Sequence, residues 1–152
     1  KIHKHLDSNK KAVYGNVILK NNGTVYDKYF SSFKLAFRKN ICHQAIFYNR
    51  KIFSNFRYNN KYKILADYAL NLIIFSELDF KHVDITIAIY NNTGISSSKK
   101  EDKDFGKDKE IILKENIFKR NKKLYFIYLF HKYYKIIYRS YKIVNFSKLI
   151  KK

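Results

Sequence analysis

The stretch "KYKILADYALNLIIF" (residues 61–75) places one carboxylate, Asp67, in a run that is otherwise largely apolar apart from Asn71. An ionised carboxylate is costly to bury unless it has a partner. Asp67 is therefore a helix cap, a paired structural charge or a working group in a cleft. Aspartate is a favoured N-cap, so the run by itself predicts a helix over residues 68–78 that Asp67 caps. The residues alone leave the three alternatives open.

The composition indicates one packed domain. The chain has 152 residues, 46% of them hydrophobic and 18% aromatic, which suits a single folded domain rather than a disordered polymer. The lone Cys42 excludes an intramolecular disulfide framework and is typical of a reducing compartment. No signal-peptide core and no long apolar run is present. The sequence begins without Met, so we interpret it as a fragment of a longer protein.

The formal net charge is +20, which usually indicates a polyanionic partner. An A/T-rich genome would also produce this composition, so the distribution of charge is more informative than its sum. From residue 116 onward there is no Asp or Glu, and Lys and Arg alternate with aromatic residues. This pattern predicts one or two cationic amphipathic helices that lie on an anionic membrane surface. The alternatives are packing of the segment on the protein body and, less favoured, binding to nucleic acid.

Periodicity and turn residues predict a mixed α/β order of elements. The first predicted elements are a hairpin over residues 12–30 and a helix over residues 31–40 with Ser32 as its N-cap. A buried strand over residues 41–48, a short helix over residues 49–56 and the helix that contains Asp67 follow. The last are a strand over residues 81–90, a polar and mobile loop over residues 91–110 and further helix from Glu110.

Four motifs in register carry a family resemblance. The segments "VYGNVIL", "ICHQAIFYNRKIF", "YKILADYALNLIIF" and "IAIYNNTGISSS" resemble the second half of family 2 glycosyltransferases, in particular bacterial enzymes of surface-polysaccharide biosynthesis. The resemblance covers residues 13–114. It implies the C-terminal part of a nucleotide-diphospho-sugar transferase (GT-A) α/β fold, with a mostly parallel mixed sheet and flanking helices. Residues 1–114 would be the acceptor-side half of that domain, and residues 115–152 a basic aromatic helical tail.

The resemblance implies that Asp67 is the general base of an inverting sugar transfer. A carboxylate near the acceptor hydroxyl would take its proton as the oxygen attacks the anomeric carbon of the donor. The same resemblance places an acceptor cleft at His43, Gln44 and Tyr68, and a substrate or phosphate loop at Gly94 and Ser96. Ordinary roles remain open for these residues: a buried histidine with a satisfied hydrogen bond, and a glycine turn. Cys42 and His43 would point to opposite faces of the predicted strand, which argues against a thiol–imidazole pair.

Two departures from the family pattern are visible. No Asp-x-Asp motif precedes "VYGNV", and Asn16 stands after Gly15 where many relatives carry Asp. The letters "DKD" (residues 102–104) fall in the predicted charged loop and do not match the motif. We therefore expect the donor-binding half, with the ligands of a Mg²⁺ or Mn²⁺ ion, to lie upstream, and we expect no metal site in this chain.

The sequence thus predicts a glycosyltransferase that moves a sugar from a nucleotide-sugar donor to a glycan or lipid-linked acceptor. The basic tail would hold it at the cytoplasmic face of a membrane. This chain alone is expected to be incomplete and inactive. The alternatives are a non-catalytic basic module that binds anionic membrane or nucleic acid, and an inactive remnant of a truncated glycosyltransferase.

Overall fold

The computed structural model describes residues 2–26, 28–91 and 101–135. These residues fall into two compact units, the first ending at Ile117 and the second beginning at Phe118. The first unit contains the sheet, three α-helices and three short 3-10 helices. The second contains the helix over residues 122–135, called α4 below.

A three-stranded mixed sheet forms the centre of the first unit. Its strands are β1 (Ala12–Leu19), β2 (Ile46–Tyr48) and β3 (Phe80–Tyr90), in the order β2-β1-β3. Strand β1 pairs in parallel with β3 and antiparallel with β2. Residues on both faces of β1 are buried because the strand is central, which explains its apolar sequence. The architecture is therefore mixed α/β, as the sequence predicts, and the strand predicted over residues 81–90 is confirmed.

The pairing of β1 with β3 is irregular around Gly15. The register shifts between Tyr14 and Asn16, so β3 carries extra residues at this point. A Cβ atom on Gly15 would lie 2.4 Å from Cγ1 of Ile87 and 2.6 Å from the backbone oxygen of Ile85. Only glycine fits this close approach of the two strands.

Four α-helices are described. In the first unit α1 spans Ser32–Phe37, α2 spans Ala66–Ile74 and α3 spans Lys103–Leu113. A π-helical turn at Lys114–Phe118 follows α3 in the chain. The shorter 3-10 helices span Ile2–His5, His43–Ala45 and Arg50–Ser54. In the described parts of the chain, no helix is long and apolar enough to cross a bilayer.

Helix α2 is the most deeply buried helix segment of the first unit. Six of its nine residues are buried, and they are Tyr68, Ala69, Leu70, Asn71, Leu72 and Ile74. The ring of Tyr68 packs on Phe105 of α3, with ring centroids 5.3 Å apart. Each large apolar side chain removed from water in this way stabilises the fold by about 1.5–3 kcal/mol. The start of α2, and Asp67 with it, is therefore attached to a fixed part of the molecule.

The structure corrects several predicted element boundaries near the N-terminal half. In place of the predicted hairpin, the structure has one isolated antiparallel β-bridge, between Ile18 and Val25. The turn between these two residues contains Gly23, whose φ is 67°. Helix α1 is capped by Ser31 rather than Ser32, because the Ser31 hydroxyl accepts the Lys34 amide. The predicted strand over residues 41–48 is wrong in its first half. His43–Ala45 forms a 3-10 turn, and only Ile46–Tyr48 pairs with β1.

Two further corrections concern Asp67 and the charged segment. Helix α2 begins at Ala66 with Leu65 as its N-cap, so Asp67 lies inside the first turn and is not the cap residue. The predicted loop over residues 91–110 is wrong in its second part. Asp102 caps α3, which begins at Lys103, seven residues before the chain was predicted to become helical. The side chain of an N-cap aspartate satisfies a free amide, which allows a highly charged helix to begin there.

Candidate active site

An open cavity of about 570 Å³ lies beside the start of α2. Its walls come from four parts of the first unit: the segment after β1, residues 40–43, the approach to α2 and the end of β3. The lining residues are Tyr26, Asn40, Ile41, Cys42, His43, Tyr58, Ile64, Leu65, Ala66, Asp67 and Tyr90. Among the described residues of this lining, Asp67 is the one carboxylate.

The Asp67 side chain is 24% exposed and has both fixed partners and an open side. Its Oδ2 atom accepts a hydrogen bond from the Asn40 amide nitrogen at 2.9 Å. The backbone N–H of Tyr68 also donates to the carboxylate, as expected in the first turn of a helix. His43 lies nearby, with Nδ1 3.9 Å from Oδ2. The carboxylate is therefore held in one orientation at the cavity wall.

Burial raises the pKa of Asp67 above its ordinary value. The Tyr68 N–H, the His43 ring and the Asn40 amide oppose this rise, but they do not cancel it. A carboxylate with a raised pKa is a better proton acceptor than an exposed aspartate. The environment of Asp67 thus suits a group that takes up a proton in a partly dry cavity.

A chain of hydrogen bonds leads from the protein interior to Asp67. The Tyr48 hydroxyl donates to Oδ1 of Asn71 at 2.8 Å, and the Asn71 amide nitrogen donates to Oδ1 of Asn40 at 2.8 Å. Asn40 in turn donates to Asp67. Each amide uses its oxygen as acceptor and its nitrogen as donor, so the orientation of Asn40 is fixed by its neighbours. This chain accounts for Asn71, a polar residue that is fully buried in an apolar helix.

His43 and Cys42 both line the cavity, contrary to the expectation that they point to opposite faces. The reason is local: the backbone turns into the 3-10 helix at His43, so strand alternation does not apply. Burial raises the pKa of the Cys42 thiol, which disfavours the thiolate form that a nucleophile requires. His43, which was predicted to bind the acceptor, lies in the cavity lining beside Asp67. Gln44 follows it in the same turn, is exposed and does not line the cavity.

Tyr68 does not line the cavity either, so its placement gives no support to the predicted acceptor-binding role. Its ring is buried against Phe105, and its hydroxyl donates to the backbone oxygen of Leu35. The helical period explains the difference. Tyr68 follows Asp67 directly and is rotated by about 100° around α2, which turns it into the core.

The remaining predicted site residues, Gly94 and Ser96, lie outside the described residues. Asn16, where the sequence departs from the family pattern, is buried in the sheet away from the cavity lining. Its Oδ1 atom lies 2.8 Å from Nε2 of His82, and its amide nitrogen donates to Asp84 at 2.6 Å. Asn16 is therefore a bridging residue between two positions of β3.

The described residues offer no ligand set for the divalent metal that the resemblance implies. Across residues 2–26, 28–91 and 101–135, no group of three or more His, Cys, Asp or Glu side chains is arranged to hold a metal ion. The described residues therefore do not fit such an ion.

A second open hollow of about 690 Å³ lies between residues 6–13 and residues 46–53. Its carboxylate, Asp7, accepts the backbone amide of Asn9 at 2.9 Å in a local turn. This hollow is slightly larger than the first. Its carboxylate, however, bonds to a neighbouring backbone amide, whereas Asp67 is oriented by buried side chains. We therefore take the Asp67 cavity as the candidate active site.

Sequence patterns missed several residues of the site. Asn40, Tyr58 and Tyr90 line the cavity, yet none belongs to a position that periodicity or spacing singles out. Asn71 was visible only as the polar exception in an apolar run. That exception was the available signal, because a buried amide requires partners.

Comparison with known proteins gives this chain named relatives. It is similar to proteins named PGL/p-HBAD biosynthesis glycosyltransferase from Mycobacterium bovis (strain BCG) and Mycobacterium tuberculosis (strain H37Ra). Each is 39% identical to this chain over 96 residues, which are 61% of this chain and 38% of the relative. The chain thus spans less than half the length of these relatives. No family model and no solved structure matches. Both relatives carry the name of a glycosyltransferase.

Proposed function

We propose that this chain supplies the acceptor side and the general base of a family 2-like, inverting glycosyltransferase. The observation that carries the proposal is the placement of Asp67: a carboxylate of raised pKa, oriented by Asn40, at the wall of an open cavity. The glycosyltransferase names of the relatives point to the same class of reaction. The donor-binding residues and any metal ligands are proposed to belong to a part of the enzyme other than the described residues.

The proposed step is a single displacement. Asp67 takes the proton of an acceptor hydroxyl while that oxygen attacks the anomeric carbon of the donor sugar. The bond from the anomeric carbon to the diphosphate breaks, and the nucleoside diphosphate leaves with the electron pair. Asp67 ends the step protonated and returns its proton to water through the open side of the cavity. We assign a contact with the acceptor to His43, because its Nδ1 atom is 3.9 Å from the carboxylate and its side chain is 55% exposed.

The cavity walls suit a glycan or lipid-linked acceptor. Three tyrosines, Tyr26, Tyr58 and Tyr90, share the lining with the apolar side chains of Ile41, Ile64 and Leu65. Aromatic rings with polar tips can pack on the apolar face of a sugar and hydrogen bond its hydroxyl groups. Removal of the Tyr58 ring is accordingly expected to raise the acceptor KM more than it lowers kcat.

The experiment that tests the base is sugar transfer by a chimera. This chain replaces the matching region of the Mycobacterium tuberculosis relative, and Asp67→Asn is compared with the unaltered chimera. Removal of a general base should lower kcat by about 10²–10⁴-fold, with thermal unfolding near that of the parent. Asp79→Asn is the matched control, because Asp79 is a paired carboxylate outside the cavity. Undiminished turnover by Asp67→Asn would refute the assignment. An inactive parent chimera would favour the inactive-remnant alternative.

We also propose that the second unit attaches the enzyme to an anionic membrane surface. Within α4 the side chains of Phe126, Phe130, Tyr133 and Tyr134 are 57–75% exposed. Their spacing of three and four residues puts them on one face of the helix. Phe118 meanwhile packs on Tyr125 and Tyr128 within the same unit, so α4 has aromatic residues on an inner and an outer side. A membrane interface accepts exposed rings, and the lysines of the segment complement anionic headgroups.

Liposome binding tests this attachment. Phe126→Ser combined with Phe130→Ser should weaken binding of the chain to phosphatidylglycerol vesicles by about tenfold or more, since each ring contributes roughly 1–2 kcal/mol at an interface. Ile111→Ser is the matched control, because Ile111 is 55% exposed but belongs to α3 in the first unit. Unchanged vesicle binding by the double variant, or tighter binding to RNA than to vesicles, would favour packing or nucleic acid instead.

A further inference from the structure

Helix α3 makes contacts with the segment that leads into α2 through two of its carboxylates. Oδ2 of Asp102 accepts hydrogen bonds from the backbone amides of Ile64, at 2.8 Å, and Leu65, at 3.0 Å. The other oxygen, Oδ1, accepts the Phe105 amide at 3.3 Å and so caps α3. One carboxylate therefore closes the start of α3 and also holds the two residues before α2.

The second carboxylate, Asp108, lies six residues further along the chain, within α3. Oδ2 of Asp108 accepts from Nζ of Lys61 at 2.7 Å and from the Tyr62 hydroxyl at 3.0 Å. The ring of Tyr62 packs on Phe105, with centroids 5.7 Å apart. The segment over residues 61–65 is thus fixed to α3 at both of its ends.

This segment forms part of the cavity wall. Ile64 and Leu65 line the cavity, and Leu65 is the N-cap residue of α2 with no side-chain cap of its own. Asp67 follows two residues later. The amides of Ile64 and Leu65 lie just before the helix and have no partner within α2, so an external acceptor is needed to fix them. Asp102 is that acceptor.

We infer that Asp102 is a positioning residue for the active site, which fixes the backbone before α2 and thereby the position of Asp67 at the cavity wall. We call the hydrogen bonds from the Ile64 and Leu65 amides to Asp102 the clamp. The clamp is a property of the fold, and only its expected effect on sugar transfer rests on the proposed role of Asp67. Asp102 touches no reacting atom in this arrangement. It acts through the backbone of Ile64 and Leu65.

Replacement by serine separates the two roles of Asp102. Serine is as good an N-cap as aspartate, so Asp102→Ser keeps α3 capped. Its single, shorter hydroxyl cannot also reach the amides of Ile64 and Leu65. Asp104→Ser is the matched control: it removes the same charge two residues away, and the ion pair of Asp104 is with Lys107 on α3 itself, at 3.9 Å.

The measurement is amide hydrogen exchange and a carboxyl ¹³C titration by NMR on the whole chain. Asp102→Ser should accelerate exchange at Ile64 and Leu65 by about tenfold or more, with β1 unchanged. It should also raise the titration midpoint of Asp67 relative to Asp104→Ser, because the Tyr68 N–H that lowers the Asp67 pKa loses its fixed geometry.

Unchanged exchange at Ile64 and Leu65 would overturn the inference. Equal acceleration in β1 would overturn it as well, since the effect would then be global. Neither measurement requires sugar transfer, so failure of the clamp is distinguishable from failure of Asp67 as base. In the transfer chimera, Asp102→Ser should lower kcat with little change in donor KM; a loss that Asp104→Ser reproduces would count against positioning.

Discussion

The hydrogen-bond chain behind Asp67 can be tested by a double-mutant cycle at Asn71 and Tyr48. Asn71 is 0% exposed, and its amide links Tyr48 to Asn40. Asn71→Leu removes both hydrogen bonds and keeps the number and branching of the side-chain heavy atoms. Tyr48→Phe removes only the hydroxyl that donates to Asn71. The double variant removes the hydroxyl and the amide together.

The magnitudes follow from counting the groups left without partners. Asn71→Leu removes the acceptor of the Tyr48 hydroxyl and the donor to Oδ1 of Asn40, at about 1–3 kcal/mol each, while the leucine side chain regains about 1–2 kcal/mol by burial. We expect a net loss of about 2–4 kcal/mol in the free energy of unfolding. Tyr48→Phe should cost about 1–2 kcal/mol. The double variant lacks both the Tyr48 hydroxyl and its Asn71 acceptor, so neither group is left without the other, and the loss should fall short of the sum by about 1–2 kcal/mol.

Urea unfolding of the four proteins, followed by circular dichroism at one pH, gives the coupling energy. Additivity to within about 0.5 kcal/mol would refute the hydrogen-bond chain, because residues that share no interaction contribute independently. The same variants carry a second readout. Asn71→Leu frees the Asn40 amide to rotate away from Asp67, so the Asp67 pKa should rise further.

Three other predictions concern the sheet, the base and a helix cap. Gly15→Ala should lower the unfolding free energy by about 2–4 kcal/mol, because the new Cβ would meet the Ile85 backbone. Gly106→Ala in α3 should raise it by about 0.5–1 kcal/mol, because the new Cβ would meet nothing within 4 Å. Comparable urea midpoints for the two variants would contradict the close approach of the strands at Gly15. Because the pKa of Asp67 is raised in the folded state, the stability of the chain relative to Asp67→Asn should be greatest below the ordinary pKa of 3.8. It should decline as the pH rises to the pKa of the folded state. Unfolding curves across acidic and neutral pH measure this difference, and an opposite slope would show a depressed pKa. Ser31→Ala should cost about 1 kcal/mol in thermal unfolding and Ser32→Ala less than about 0.5 kcal/mol, since only Ser31 caps α1; equal losses would mean that the cap is misassigned.

The sequence by itself determined the elements whose pattern is local. The alternation of apolar residues over 81–90 predicts β3, and the apolar run around Asp67 predicts a buried helix; both are present as β3 and α2. The run also singled out Asp67 and Asn71, because a buried carboxylate and a buried amide need partners. Helix ends, which depend on individual hydrogen bonds, were displaced by one or a few residues, as at Ser31 and Leu65.

The tertiary structure decided which groups meet. Asn40 and Asp67 are 27 residues apart, Tyr48 and Asn71 are 23 apart, and Ile64 and Asp102 are 38 apart. No periodicity encodes such pairs, because they depend on how the loops close around the sheet and how α3 packs on α2. The charged segment containing Asp102 illustrates the reason. Its composition is typical of a mobile loop. In the fold, however, Asp102 accepts backbone amides and Asp108 accepts side-chain donors from a segment distant in sequence, and these hydrogen bonds hold the charged segment in place.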